Sequence, residues 1–204
     1  LNWLNPEVLE QMKAALEFWL KKGVDGFRFD AVKHLFEKYL EADLTSFPVP
    51  TLTREAAHEI FKEWRRVLDK YGAVAISEAW DTDVSVWKSY YGEKLDEFHL
   101  PLNFFFMQTS WNAKCIREIV DRIHANLHHD AWISWTVGNH DISRFVNRYG
   151  EHYARICAML LLTLKGTPIL YYGDEIGMSD VAMSPSKIRD RFGRDKARTP
   201  MQWS

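Results

Sequence analysis

Between residues 6 and 22 apolar side chains recur at Val8, Leu9, Met12, Leu16, Trp19 and Leu20, the three-and-four spacing of one helical face. Asn5 stands where a cap belongs and Pro6 in the first turn, so a helix over 6–22 is expected. The run GFRF (26–29) then reads as a short strand, followed by helix-forming sequence to about Leu40 and by a linker over 41–53 that contains Pro48 and Pro50. That linker reads as an excursion within one unit. From Arg54 to Tyr71 helical spacing returns at Ala57, Ile60, Phe61, Trp64, Val67 and Leu68, and Gly72 supplies the stop. Next come a strand in AVAIS (73–77), a short helix near 83–91, a strand within FHLPLNFFF (98–106) and a helix through Ile116, Ile119, Val120, Ile123 and Leu127. A strand in WISWTV (132–137), a long helix from Tyr149 to Lys165 and a strand in TPILYY (167–172) complete the pattern. Strands that are nearly continuous in apolar residues and alternate with helices belong to a parallel sheet covered by helices. The fold class is therefore α/β, either a doubly wound sheet or part of an eight-stranded barrel.

In such folds ligands and catalytic groups gather where strands end. GFRF ends in Asp30, AVAIS in Glu78, WISWTVGN in His140 and Asp141, and TPILYYG in Asp174 and Glu175. Alternation along a strand puts Arg28 and Asp30 on one side and Phe27 and Phe29 on the other. Taken alone, Asp30 also suits a helix cap with Arg28 as its ion-pair partner. Capping does not explain why an arginine, a histidine and several carboxylates converge on strand ends. Two carboxyl groups take different tasks when their surroundings differ. Arg28 favours an ionised Asp30, whereas Glu78 lies between an apolar strand and Ala79-Trp80, a partly desolvated setting that suits a proton donor. The residues thus propose Asp30 as nucleophile and Glu78 as general acid/base.

Two metal readings are weaker. GNHD (138–141) resembles a segment of dinuclear metallophosphoesterases, but neither an early Asp-x-His nor a later Gly-Asp-x-x-Asp accompanies it. HHD (128–130) lies at a polar helix end and reads as a solvated turn. Cys115 and Cys157 fall among apolar neighbours in helical patterns and are expected to be buried thiols.

Composition narrows the partners. With 204 residues and 47% apolar content the chain can build a substantial core, and a formal charge of -2 offers no footprint for nucleic acid or an anionic membrane. Apolar runs such as ICAMLLLTL fall far short of the roughly 20 residues that span a bilayer. Nine tryptophans and 14% aromatic residues suit a sugar-stacking, aromatic-lined cleft. A cytoplasmic location is the expectation.

Four segments, GFRFDAVKH, ISEAW, VGNHD and GTPILYYGDEIGM, occur in that order with strand-helix spacings. Together they resemble the α-amylase family of retaining glycoside hydrolases, family thirteen, and RDKARTPMQW resembles its α-glucosidase branch. The resemblance implies the C-terminal part, strands four to eight, of a (β/α)8 TIM barrel, with residues 1–204 a partial catalytic domain truncated at both ends. It implies Asp30 as nucleophile, Glu78 as acid/base, Asp141 as transition-state stabiliser, Arg28 as the arginine that holds the nucleophile and His140 as a sugar ligand in subsite -1. Arg194 or Arg198 would contact the terminal sugar; an ordinary solvated basic loop is the alternative. Lys33 and His34 match positions facing the leaving group, or else form a polar first helical turn. Ala31, after the nucleophile, matches α-1,4-acting members, where α-1,6-acting ones tend to carry valine.

The implied function is cleavage of α-glucosidic bonds, α-1,4 by preference, in short malto-oligosaccharides or disaccharides by double displacement. Alternatives are a transglycosylating or isomerising relative such as a trehalose synthase, and a catalytically silent binding or transporter-associated homologue. Such silent relatives typically lose one or more of the three carboxylates, and this chain keeps all three. No cofactor is implied, although calcium in some members binds a part that would precede Leu1. Leu1 is not an initiator methionine and TPMQWS closes without a helix, so a piece of a longer chain, inactive and self-associating by itself, is expected.

Overall fold

In the computed structural model, which describes residues 1–3, 5–35, 54–201 and 203, the chain forms two compact units. The first comprises Leu1–Leu102 with Ile123–Trp132, the second Asn103–Arg122 with Ile133–Ser204.

In the first unit, α1 (Pro6–Leu20) starts where the sequence placed it, with Asn5 Oδ1 accepting the Glu7 N–H at 3.0 Å and Pro6 at the first position. It leads into β1 (Gly26–Phe29), which pairs in parallel with β2 (Val74–Ser77), Gly26 opposite Val74 and Phe29 opposite Ser77. β2 in turn pairs in parallel with β3 (Leu100–Pro101). The crossovers are α2 (Arg54–Asp69) and α3 (Val84–Ser89), the latter capped by Asp83 through the Ser85 N–H at 2.7 Å. On α2 the six apolar positions read from the sequence are all buried. The larger aliphatic and phenyl side chains among them each contribute about 1.5–3 kcal/mol relative to exposure. Phe29 stacks on Trp64 with centroids 4.8 Å apart, joining strand to helix. Gly72 stops α2 in a left-handed conformation (φ 63°), which lets the Ala73 N–H return to the Leu68 carbonyl at 3.1 Å.

Where a helix to Leu40 was expected, the described residues hold a single 3₁₀ turn at Val32–Leu35; residues 36–40, and the linker at 41–53, lie outside the described residues. Pairing in the 98–106 segment is confined to Leu100 and Pro101, after which a 3₁₀ turn forms at Phe105–Met107. Asn103 Oδ1 takes the Phe105 N–H at 3.0 Å, so the chain turns there and does not extend.

In the second unit β4 (Ser134–Thr136) pairs in parallel with β5 (Thr167–Ile169). The helix expected from Tyr149 to Lys165 is broken: α5 covers Phe145–Tyr149, a 3₁₀ turn covers Glu151–Tyr153, and α6 covers Ala154–Thr163. Gly150 causes the break, because its φ of 101° lies far from helical values. In between, α4 (Ala113–Asn126) passes from the second unit to the first, and its Cys115 is half-buried, not buried as expected. Cys157 is buried, and burial pushes its thiol up to about 12, so it is an inert packing group. Among the described residues no helix is long and apolar enough to cross a membrane.

The lower end of the β2–β3 pair is closed by a side chain. The Ala75 N–H donates to His99 Nδ1 at 3.0 Å, while the His99 N–H donates to the Ala75 carbonyl at 2.9 Å. Burial, aided by nearby Arg65, lowers the His99 pKa against the opposing pull of Asp69. A protonated Nδ1 cannot accept the amide of a residue that is 1% exposed. With the folded pKa below 6.5, this bond's contribution is complete above the unfolded value and is lost as pH falls through the folded one. Denaturation midpoints measured from pH 7.5 to pH 5 should therefore drop in the wild type, and the drop should be smaller in His99→Leu, whose midpoint starts lower.

Candidate active site

A regular parallel ladder would continue past Phe29 and Ser77 with Glu78 accepting the Ala31 N–H on its carbonyl. The Glu78 N–H does reach the Phe29 carbonyl (2.8 Å), but the Glu78 carbonyl takes the Val32 N–H (3.0 Å), so Asp30 and Ala31 together oppose one residue. This is a bulge. The displaced Ala31 N–H is caught by the Glu78 side chain, donating to Oε2 at 2.8 Å. Ala31 adopts φ 49°, the left-handed value that a bulge asks for and that a residue with a Cβ rarely takes.

The bulge holds the Glu78 carboxyl at the strand end that carries Asp30. Asp30 Oδ1 lies 2.7 Å from Arg28 Nη1, as strand alternation required, and its side chain is 72% exposed. The amide a helix cap would claim is held by Glu78, so the pair with Arg28, not capping, accounts for Asp30. Lys33 Nζ donates to the Trp80 carbonyl at 2.9 Å, and His34 is exposed on the same 3₁₀ turn. A cavity of about 370 Å³ lies beside Arg28 and Asp30, with Trp3, Trp19 and Phe27 among its walls.

In the second unit β4 runs through Val137 and Gly138 into Asn139, whose Oδ1 accepts the Asp141 N–H at 2.9 Å. Asp141 Oδ1 receives Arg194 Nη1 at 2.5 Å and Arg198 Nη2 at 3.1 Å, and Oδ2 stands 3.5 Å from His140 Nε2. Arg198 Nε also donates to the His140 carbonyl at 2.7 Å. The solvated-loop alternative for the two arginines gives way to a built cluster. Its further member, Asp190, was missed in the sequence; its four-residue spacing from Arg194 was the available signal. Of the strand-end carboxylates left over, Asp174 accepts the Tyr171 N–H at 3.0 Å and burial raises its pKa, while Glu175 is exposed. His128, His129 and Asp130 place ligand atoms within 4.8 Å of one another on an exposed turn, and His128 Nδ1 already accepts the Asp130 N–H.

Parallel strands with crossover helices and carboxylates at the strand ends make up an α/β architecture of the kind the TIM barrel uses. The alpha-amylase catalytic domain, a TIM-barrel fold, matches residues 1–204, and the chain belongs to that family. It is 34% identical to Maltase A2 of Drosophila melanogaster, over the whole of this chain and 41% of that protein. It is also 33% identical to the human amino acid transporter heavy chain SLC3A1, over the whole of this chain and 33% of that protein. Among solved structures, the alpha-glucosyl transfer enzyme XgtA matches with a TM-score of 0.85 and 28% identity, over all of this chain and 44% of that one. The chain thus spans less than half the length of the relatives it matches.

The Ala31 conformation carries a testable cost. A left-handed backbone penalises a Cβ by about 1–2 kcal/mol, part of which glycine gives back in unfolded-state entropy. Ala31→Gly should raise stability by ~0.5–1 kcal/mol, and Ala31→Val, β-branched, should lower it by ~1 kcal/mol or more, in urea unfolding of the intact protein.

Proposed function

We propose that the protein containing this chain is a retaining α-glucosidase, with residues 1–204 supplying strands four to eight of its catalytic barrel. The observation that carries this reading is the bulge that sets the Glu78 carboxyl on the amide following Asp30. Asp30, ionised beside Arg28, attacks the anomeric carbon while Glu78 gives a proton to the departing oxygen. Glu78 then takes a proton from the water that opens the glycosyl-enzyme ester. Asp141 is assigned electrostatic stabilisation of the oxocarbenium-like transition state, and His140 a hydrogen bond to the sugar. Arg194 and Arg198 act on Asp141 before any sugar, and Lys33 and His34 border the leaving-group side. The substrates are short α-glucans or disaccharides, with α-1,4 linkages preferred because Ala31 borders the aglycone.

Transfer to a sugar hydroxyl in place of water uses the same residues, and likeness to an alpha-glucosyl transfer enzyme supports it as a variant of the same chemistry. A second reading, an accessory chain of a transporter, is favoured by the likeness to SLC3A1. Retention of Asp30, Glu78 and Asp141 argues for the enzyme.

The intact protein should hydrolyse maltose faster than isomaltose, and proton NMR should show α-glucose as the first-formed anomer. Asp30→Asn should lower kcat by ~10³-fold or more on every substrate. Glu78→Gln should lose ~10²–10⁴-fold in kcat/KM on maltose but far less in kcat/KM on p-nitrophenyl α-glucoside, whose leaving group needs no proton. β-Glucose as first product would exclude retention. Inactivity on maltose, isomaltose, sucrose and trehalose alike would favour the transporter reading.

A further inference from the structure

Asp190 is the hub of the 188–195 loop. Its Oδ2 accepts the N–H groups of Phe192 (3.2 Å) and Arg194 (3.0 Å) and the Nε of Arg194 (2.9 Å), and its Oδ1 accepts Arg194 Nη2 (2.8 Å). The turn between them passes through Gly193 at φ 69°. Behind the hub, Asp195 Oδ2 accepts the N–H groups of Arg189 (2.6 Å) and Asp190 (2.8 Å), so the backbone carrying Asp190 is itself fixed. The Arg194 side chain, then its amide, holds the Asp190 carboxyl well below the usual carboxylate range.

A guanidinium is planar and rigid, so seating its Nε–Nη2 edge on one carboxylate settles where Nη1 points. Here Nη1 meets Asp141 Oδ1 at 2.5 Å. The side chains of Asp190 and Arg194 are only 15% and 26% exposed, which limits competition from water. Arg198 approaches the same oxygen from a second direction, leaving the Asp141 carboxylate plane set with Oδ2 toward His140. We propose that Asp190 is a positioning residue for Asp141, acting through Arg194: it aims one guanidinium edge so that the other fixes the carboxylate. This rests on the reading of Asp141 as part of the glycosidase machinery, and it adds a residue that touches neither sugar nor reacting atom. Charge held in place before the reaction stabilises a transition state without reorganisation. The effect should therefore fall on kcat more than on KM.

The test is a double-mutant cycle in the intact protein. Asp190→Ala and Arg194→Ala should each lower kcat on maltose by ~10²-fold with little change in KM, and the double variant should be no worse than Arg194→Ala alone. Asp190→Asn separates positioning from loop capping, since its carbonyl still accepts the two backbone amides but cannot seat the fork. It should lose most of what Asp190→Ala loses. Additive losses in the double variant, or an Asp190→Asn enzyme with wild-type kcat, would overturn the proposal. A wild type without activity on any α-glucoside would instead remove the glycosidase reading. The cycle is then read in thermal unfolding between Asp190→Ala and Asp141→Asn, where non-additivity supports the Asp190–Arg194–Asp141 chain and additivity overturns it.

Discussion

The first unit depends on how a parallel ladder ends. Through Phe29 and Ser77 the pairing of β1 and β2 is regular. One residue later the strand beginning at Gly26 carries one residue too many, and the Ala31 amide loses its backbone partner. A buried or half-buried amide left unpaired costs about 1–3 kcal/mol, so the extra residue survives only if something accepts that N–H. Glu78 does so with its side chain. The same bond that satisfies the backbone also fixes a carboxylate beside Asp30, which strand alternation already sets on the side of Arg28. Phe29, one residue earlier, stays in the core against Trp64 and Phe98. A local defect in hydrogen bonding therefore divides an apolar strand from an acidic strand end.

How much of this could be read in the sequence follows from which forces have a periodic signature. α1 and α2 were legible because apolar residues on one helical face repeat every three or four positions; α2 buries every position so identified, whereas α1 buries Leu16 and Leu20 and leaves Met12 and Trp19 exposed. Acidic strand ends were legible because the apolar runs stop at them. Backbone dihedrals leave no such trace. The apolar run from Tyr149 to Lys165 hides the turn at Gly150. Cys115 misled for a different reason, since apolar neighbours in sequence did not bury it. The bulge at Ala31 needed a hydrogen-bond count that only coordinates supply, and of the Asp190 hub the sequence carried no more than its four-residue spacing from Arg194.

The two units hold their carboxylates by different physics, and the difference bears on how each is set. Glu78 is anchored by backbone geometry through an uncharged donor, which added salt scarcely disturbs. Asp141 is held by guanidinium groups on a loop, in pairs that are partly exposed and so weakened by ionic screening. That loop is strapped in turn by Tyr171, whose hydroxyl donates to the Ala197 carbonyl at 3.2 Å, and by Tyr172, which donates to the Thr199 carbonyl at 2.5 Å. Both tyrosines also lie against the buried Arg144 guanidinium, at 4.8 and 4.7 Å from their ring centres, which ties the loop to the interior of the second unit. Residues 188–199 therefore set the Asp141 carboxylate, whereas the anchor of Glu78 lies within the β1–β2 ladder itself.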